Sequence, residues 1–267
     1  MNSHIYRILG FMGASLAVCE AAVSYSTPGS TVSENFNSPA GTAGNFVNNT
    51  TYLGWYAVSR TGAVLPEGSD GPGTVSYLAN NGGAAAVGTL VNTGSTGSPD
   101  RALGAQSHNT GNSLISYGLQ LTNSTGISLN SFTLGYTAEQ WRMISGEGAD
   151  GLTVEYQIFS GTGDLTSGTW TAISALNFTA PQTTTGSSTG LNGNTAGNFS
   201  QLSTTVTGVT WAPGSELWLR WNDASASAST KRAILAIDDV TFTAVPEPSS
   251  LGLLAIGAAG FLRRRRA

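Results

Sequence analysis

Short stretches in which apolar and polar residues alternate recur along the middle of the chain. The clearest are SFTLGYTAEQW at 131–141, GLTVEYQIF at 151–159 and SELWLRW at 215–221. In each of them every second residue is apolar, which is the period of a β-strand with one buried face. No stretch has the apolar spacing of an amphipathic helix of three turns. Further candidate strands lie at 31–36, 52–58, 74–79, 84–91, 113–121, 170–178, 201–207 and 232–243.

Glycine, serine, threonine and asparagine separate these runs, and the 267 residues include 35 glycines, so turns are frequent. Ten or more short strands joined by such turns predict an all-β fold, a two-sheet sandwich of jelly-roll type. The segment 181–198 is of low complexity and lacks apolar spacing, so we expect a long surface loop there. We expect one domain over residues 23–244.

The first 22 residues have the layout of a secretory signal peptide. Arg7 precedes an apolar stretch from Ile8 to Val18, and small residues follow. This order predicts cleavage after Ala21 or Ala22, although a buried N-terminal strand or helix is an alternative. Cys19, the only cysteine, lies within the predicted leader, so the chain has no intrachain disulfide.

The last 23 residues combine a Pro-Glu-Pro, an apolar run and four arginines. The run from Leu251 to Leu262 would span about 18 Å as a helix, against about 30 Å for the hydrocarbon core of a bilayer. It is short for a permanent anchor. The four arginines that follow resist transfer across the membrane and predict that the C-terminus stays cytoplasmic, with the body outside.

This tail resembles the PEP-CTERM sorting signal of exopolysaccharide-producing Gram-negative bacteria, a tail that is also catalogued as an ice-binding protein C-terminal domain. The resemblance rests on Val245-Pro246-Glu247-Pro248, the short apolar run and the stop formed by Arg263, Arg264, Arg265 and Arg266. It implies a protein that an exosortase-like membrane enzyme sorts at the inner membrane and that then reaches the cell surface or extracellular matrix. A tail anchor with an accidental Pro-Glu-Pro is the alternative.

The body resembles, more weakly, exported bacterial sandwich proteins that carry this signal. The similar segments are SPDRALGAQS, YGLQLTNSTGISLNSFTLGYTAEQWR, ELWLRWND and LAIDDVTF. The resemblance implies a fold and a location, and no catalytic motif accompanies it. An ice-binding face would need a regular array of threonines on consecutive strands, and the body has no fixed threonine repeat, so that label is not transferred to it.

Charge excludes one class of partner. Residues 23–245 contain 13 acidic and six basic residues, a net charge of 6 − 13 = −7. No basic stripe is present that could neutralise phosphates, so nucleic-acid binding has no support.

Residues for catalysis are few. His108 is the only histidine after the predicted leader, so a Ser-His-Asp triad would have to use it, and a zinc site of His and Cys ligands is excluded. Glu139 and Glu147 lie apart and Glu155 stands alone on its strand, although carboxylates from different strands can still meet. We therefore expect a non-enzymatic surface or matrix protein, with weak affinity for glycans such as exopolysaccharide. The alternative is a secreted glycan-active hydrolase on a jelly-roll scaffold.

Two features of the body point to ligands. Asp238 shares phase with the apolar residues of the last strand, so it should point inward and need a partner. The Asp238 carboxylate has three possible partners: backbone N–H groups, an arginine such as Arg142 or Arg220, or Ca²⁺ that Glu34 also binds. Trp141 and Trp218 lie out of phase with the apolar residues of their strands. Each could be exposed and stack on a sugar ring, or could pack under a loop or against a neighbouring sheet, which is the commoner arrangement.

Overall fold

A computed structural model describes residues 23–38, 44–60, 75–107, 114–144, 150–183, 186–224 and 232–247. The predicted signal peptide, His108, Pro248, the apolar run and the arginine cluster lie outside these residues. Within the described part of the chain, no helix is long and apolar enough to cross a membrane.

The described residues form sixteen strands and one 3₁₀ turn at Ser174–Leu176. The strands are β1 (Val23–Tyr25), β2 (Thr31–Glu34), β3 (Gly44–Asn45), β4 (Trp55–Arg60), β5 (Ser76–Asn80), β6 (Thr89–Thr93), β7 (Ala102–Gln106), β8 (Leu114–Asn123), β9 (Leu129–Met143), β10 (Gly151–Phe159), β11 (Thr171–Ala172), β12 (Phe178–Thr179), β13 (Thr189–Gly190), β14 (Phe199–Trp211), β15 (Glu216–Ala224) and β16 (Ile234–Val245).

The strands form two sheets. The smaller sheet has the order β1-β8-β15-β10-β11, with β4 also on β8 and β12 also on β10. The larger sheet has the order β13-β9-β16-β7-β6-β5-β3, with β14 also on β9 and β2 also on β16. Only β1 with β8 and β5 with β6 pair in parallel among the described strands. The predicted all-β fold of two sheets is confirmed.

The alternating runs bury the residues that their phase predicts. The main core lies between the sheets and contains the in-phase residues of β9 and β15, together with Leu152 and Val154 of β10. Leu217, Leu219 and Trp221 point inward, whereas Arg220 lies on the outer face. Aromatic side chains fill much of this core, and Trp55 stacks on Trp221 with ring centroids 5.6 Å apart.

The sequence pattern misses β7, because all five of its residues are buried and none alternates with a polar one. The outer face of the larger sheet is itself covered around this strand. A second apolar cluster lies there, formed by Ala86, Val91, Ala102, Trp141, Ile234 and Ala236. Segments 81–88 and 189–198 close over it, so part of the predicted low-complexity loop packs on the sheet.

A bulge in β16 changes which face its residues occupy. Asp239 has a φ of 48°, and the register with β9 shifts between Asp238 and Thr241. Before the bulge Ile237 points into the main core and Ala236 into the second cluster, while after it Val240 points into the main core. Asp238 is therefore buried, as predicted, but on the outer face with Ala236 and opposite to Val240.

Candidate functional site

The outer face of the smaller sheet carries a connected polar network around Glu155. Its Oε2 accepts hydrogen bonds from Arg220 Nε at 2.8 Å and Asn222 Nδ2 at 2.9 Å, and lies 2.7 Å from Arg220 NH2. Asn222 Oδ1 in turn accepts from Ser116 Oγ at 2.6 Å. Antiparallel pairing places Glu155 opposite Arg220 and fixes this arrangement. The network presents oriented donors and acceptors on a rigid sheet.

The loop 160–170 lies over one half of this face. Leu165 is buried above Gly118, and its carbonyl oxygen accepts from Arg220 NH1 at 2.7 Å. Gly163 N–H donates to Glu216 Oε2, which also accepts from Trp218 Nε1 at 2.8 Å. The loop thus ties itself to the sheet by both polar and apolar contacts.

Trp218 and Trp141 are not exposed platforms. Trp218 is 2% exposed and packs against Tyr56, with ring centroids 4.7 Å apart, on the face that the loop covers. Trp141 is 1% exposed, and a Cβ placed on Gly193 would lie 2.4 Å from its Nε1. Both tryptophans are buried, so the exposed orientation considered for them is wrong. The loop at Gly193 covers Trp141, as in the alternative of packing under a loop, and Tyr56 of β4 packs on Trp218.

Two other aromatic rings stay partly exposed on the outer face of the smaller sheet. The Tyr56 hydroxyl donates to Gln120 Oε1 at 2.7 Å. The ring of Trp170 lies against the Arg220 guanidinium, whose central carbon is 3.9 Å from the ring centroid, and its Nε1 donates to the Ser167 carbonyl. Sequence reasoning missed both rings. Tyr56 is out of phase in WYAVS, a signal that could have found it, whereas Trp170 follows a turn and has no periodic context.

Gly118 lets the loop approach the sheet, and its substitution should be costly. A Cβ at this position would lie 2.0 Å from the Leu219 carbonyl oxygen and 3.0 Å from Leu165 Cδ2. Because backbone must move in the middle of the sheet, we expect Gly118→Ala to lower the free energy of unfolding by about 2–3 kcal/mol. Urea unfolding measures this. Gly161→Ala, in loop 160–170, is the control. No atom lies within 4 Å of the new Cβ, so this variant should change stability little.

Two buried carboxyl groups, Glu139 and Asp238, lie on the outer face of the larger sheet, although the sequence shows no such pair. Glu139 lies opposite Ala236 in β16, so it is diagonal to Asp238 on the same face. Burial raises the pKa of Glu139 to about 7, against a hydrogen bond from Trp141 Nε1 at 2.7 Å that lowers it. Burial also raises the pKa of Asp238 to about 8, and the negative charges of Asp239, Glu139 and Asp100 raise it further. Both carboxyl groups are less than 5% exposed.

The contacts of Asp238 and Glu34 are with backbone amides. Asp238 Oδ1 accepts from Asp239 N–H at 2.7 Å, the first of the three partners considered for it. Glu34 pairs with Val240 across the strands, and its Oε1 accepts from the N–H groups of Asn35 and Phe36. In the described ranges no three His, Cys, Asp or Glu side chains come together as a metal site. Calcium at Asp238 and Glu34 stays a prediction.

A third buried carboxyl group lies where β15 ends. Asp223 is fully buried, and its Oδ2 accepts from Ser107 N–H at 2.9 Å. Burial and the nearby Asp150 raise its pKa to about 8, while Ser107 and Arg232 lower it. Asp150 accepts from the N–H groups of Gly151 and Ala233. Asp223 continues the inward phase of Leu217, Leu219 and Trp221, a signal that could have predicted this burial.

Hydroxyl groups form rows on the exposed half of the larger sheet. Four strands that are distant in sequence align one row of threonines, in which Thr31 Oγ1 lies 3.2 Å from Thr243 Oγ1 and Thr133 Oγ1 lies 2.8 Å from Thr205 Oγ1. The next row contains Ser33, Thr241, Gly135 and Ser203. These rows arise because distant strands pair, and the chain has no fixed threonine repeat, as expected from the sequence. The rows by themselves assign no ligand.

The start of the sorting motif is fixed to the N-terminal strand. The Tyr25 hydroxyl donates to the Ala244 carbonyl at 2.9 Å and accepts from the Ala244 N–H at 2.8 Å. Gly29 N–H also donates to the Ala244 carbonyl. Val245 is the last residue of β16, and Pro246 and Glu247 follow outside any strand. The motif therefore begins directly at the folded body.

A family model described as the PEP-CTERM protein-sorting motif matches residues 244–266. The chain thus carries this motif at its C-terminus, which confirms the resemblance seen in the sequence. No curated protein is similar in sequence to the chain.

Several solved structures have a similar arrangement of strands. A tandem CBM22 domain from a Paenibacillus barcinonensis protein has a TM-score of 0.38 and 13% identity, with 85% of this chain and 49% of that one covered. A xylan-binding CBM22 domain has a TM-score of 0.35 and 13% identity, and the match covers 79% of this chain and 99% of that one. The enzymatically active domain of tailspike protein 4 from bacteriophage CBA120 has a TM-score of 0.36 and 10% identity. The match covers 72% of this chain and 19% of that one. The chain thus spans about a fifth of the tailspike domain and half of the tandem domain. With TM-scores below 0.5, none of these similarities bears on the site.

Proposed function

We propose that the protein is exported and then sorted by an exosortase-type membrane enzyme to the cell surface or extracellular matrix. The motif at residues 244–266 carries this proposal. The layout of residues 1–22 as a signal peptide supports export. Arg7 and Arg263–Arg266 would keep both ends cytoplasmic until processing, with the body outside. Mass spectrometry of the exported form should find a new N-terminus after Ala21 or Ala22, and an intact Met1 there would contradict export by this route.

We further propose that the body is a non-enzymatic module that binds glycans on the outer face of the smaller sheet. The supporting observation is the combination of two partly exposed rings, Tyr56 and Trp170, with the fixed polar network of Glu155 and Arg220. Aromatic faces stack on pyranose rings, and oriented carboxylate and guanidinium groups bind their hydroxyls. This face replaces Trp141 and Trp218 as the stacking surface.

Affinity electrophoresis in gels that contain cellulose-, xylan- or mannan-type polysaccharides tests this proposal. Since each ring would supply a stacking contact, we expect Trp170→Ala and Tyr56→Ala each to weaken binding about tenfold. Trp141→Phe, which alters a buried ring on the other sheet, is the control and should bind as the wild type does. Retained binding in both alanine variants, with the fold intact by circular dichroism, would contradict this site.

A glycan hydrolase is the second candidate, and the pair Glu139 and Asp238 favours it. Two carboxyl groups with raised pKa values on one sheet face have the chemistry of a general acid and its partner. Their burial argues for a structural role, because a substrate would need loop 189–198 to open. Polysaccharide turnover that Glu139→Gln or Asp238→Asn abolishes would favour the hydrolase over the binding module.

A further inference from the structure

Three loops and the start of the sorting motif meet at one end of the sandwich, which we call the tail-side end. It consists of residues 26–30, 124–128 and 212–215 with the adjoining end of β16. Ser124 N–H donates to the Tyr25 carbonyl at 2.9 Å and Gly214 N–H to the Asn123 carbonyl at 2.7 Å. Gly29 is joined to Ala244, as described above. These contacts make the loops one surface, from which the tail departs.

The length of chain beyond Val245 limits how far this end can lie from a membrane. Residues 246–250 separate Val245 from Leu251, the first residue of the apolar run. Five extended residues reach at most about 18 Å. Headgroups occupy about 5–8 Å of that distance on each side of the hydrocarbon core. Once the apolar run has entered the core, little space is left between the tail-side end and the headgroups.

Charge is distributed unevenly over the sandwich. Residues 23–33, 119–135 and 203–215, which contain the three loops and the strand segments that lead into them, contain no Asp, Glu, Lys or Arg. Glu34, Glu216 and Glu247 are the nearest charged residues along the chain. The charged residues of the body lie outside these segments, and the acidic ones outnumber the basic ones 13 to six. A body with a net charge of −7 is repelled by anionic lipid, and this repulsion is weakest where the surface is neutral.

We propose that the tail-side end is the surface that lies against the phospholipid headgroups while the protein awaits processing. Exposed Ile127 and Val245 give it two apolar contacts, and its Ser and Thr hydroxyls suit the headgroup layer. The opposite end points away from the membrane, and the outer faces of both sheets stand roughly upright and open to the matrix. The inference rests on the proposed sorting function, because it requires the tail to be inserted.

Fluorescence quenching in vesicles tests this orientation. The exported form, residues 23–267, contains no cysteine and is reconstituted into phosphatidylethanolamine and phosphatidylglycerol vesicles that contain a headgroup nitroxide. One fluorescent label is attached per variant, at Thr27→Cys or Ser128→Cys on the tail-side end, at Thr179→Cys near the opposite end, or at Gly257→Cys in the apolar run. Thr27, Ser128 and Thr179 are exposed. We expect the two tail-side labels to be quenched at least threefold more strongly than the label at Thr179.

Charge variants give an independent measurement. With the label at Thr27→Cys, we expect Ile127→Glu with Ser128→Glu to lower quenching by half or more, because anionic lipid repels the new carboxylates. Thr153→Glu with Thr179→Glu, far from the tail-side end, is the matched control and should leave quenching unchanged. Equal quenching at Ser128 and Thr179, with the Gly257 label inside the bilayer, would overturn the orientation and leave sorting intact. A Gly257 label that stays in water would overturn the sorting function and the orientation together.

Discussion

Raising the pH from 4.5 to 8 should destabilise the folded body, contrary to the usual behaviour of an acidic protein. The raised pKa values of Glu139, Asp238 and Asp223 mean that the folded state holds these protons more tightly than the unfolded state does. Stability from such groups is fully present below their unfolded pKa values of about 4 and is lost as the pH rises through 7 to 8. Glu139 alone accounts for about 3 kcal/mol, from a pKa of 4.5 raised to about 7.

Thermal unfolding at several pH values measures this effect. We expect the midpoint to fall by roughly 5–10 °C between pH 4.5 and 8 for the Glu139 contribution. Glu139→Gln keeps the shape and the acceptor for Trp141 Nε1 but has no proton to lose, so its midpoint should change less with pH and exceed that of the wild type at pH 8. Asp238→Asn should act in the same direction.

Asp164 supplies a control of opposite sign. Partial burial raises its pKa, but hydrogen bonds from Thr166 and Ser167 outweigh this effect and lower it overall. A lowered pKa contributes stability above the unfolded pKa that is lost as the pH falls. Asp164→Asn should therefore be less stable than the wild type at neutral pH. Wild-type stability that rises steadily from pH 4.5 to 8 would show that the buried carboxyl groups do not dominate.

The sequence predicts best where one face of a strand is buried and the other is polar. Strands β9, β10 and β15 follow from their alternation, and their inward residues are those that the phase selects. It fails where both faces are covered, as in β7, because alternation disappears when loops make a third layer. Asp238 shows a different failure. Its burial follows from phase, but the bulge at Asp239 places it on the face opposite to Val240. A bulge is hard to predict because no residue type marks it reliably.

The candidate site depends on contacts between distant segments, which a sequence does not display. Trp218 and Trp141 have the phase of outward residues, and they are on outer faces. Whether an outward ring is exposed depends on loops such as 160–170, whose path follows from glycines that permit close approach. The threonine rows arise in the same way, since β2, β9, β14 and β16 contribute one member each and no repeat along the chain connects them.

Replacing Pro246-Glu247-Pro248 with three alanines should abolish processing of the tail, the largest functional effect that we expect. Because the two prolines fix φ and disfavour helix before them, we expect the segment between the body and the apolar run to be extended, a form that a peptide-cleaving enzyme can bind. Pro246 also follows the last residue of β16 and lacks the N–H that would continue the strand. Alanines favour helix, so we expect this segment to lose the extended form and the full-length protein to accumulate in the membrane.

Replacement of Arg263–Arg266 by glutamines should have a different result. Without the charges that resist transfer, an apolar run of about 18 Å cannot hold the tail across a core of about 30 Å, so the unprocessed protein should be secreted. Ser249→Ala with Ser250→Ala, which changes neighbouring residues outside the motif, is the control and should be processed normally. Ala244 remains held by Tyr25 and Gly29 in every variant, so body stability should not change. Immunoblotting and mass spectrometry of membrane and medium fractions distinguish these fates. A wild-type protein that retains residues 249–267 at steady state, in a host with the sorting enzyme, would show that the tail is an ordinary anchor.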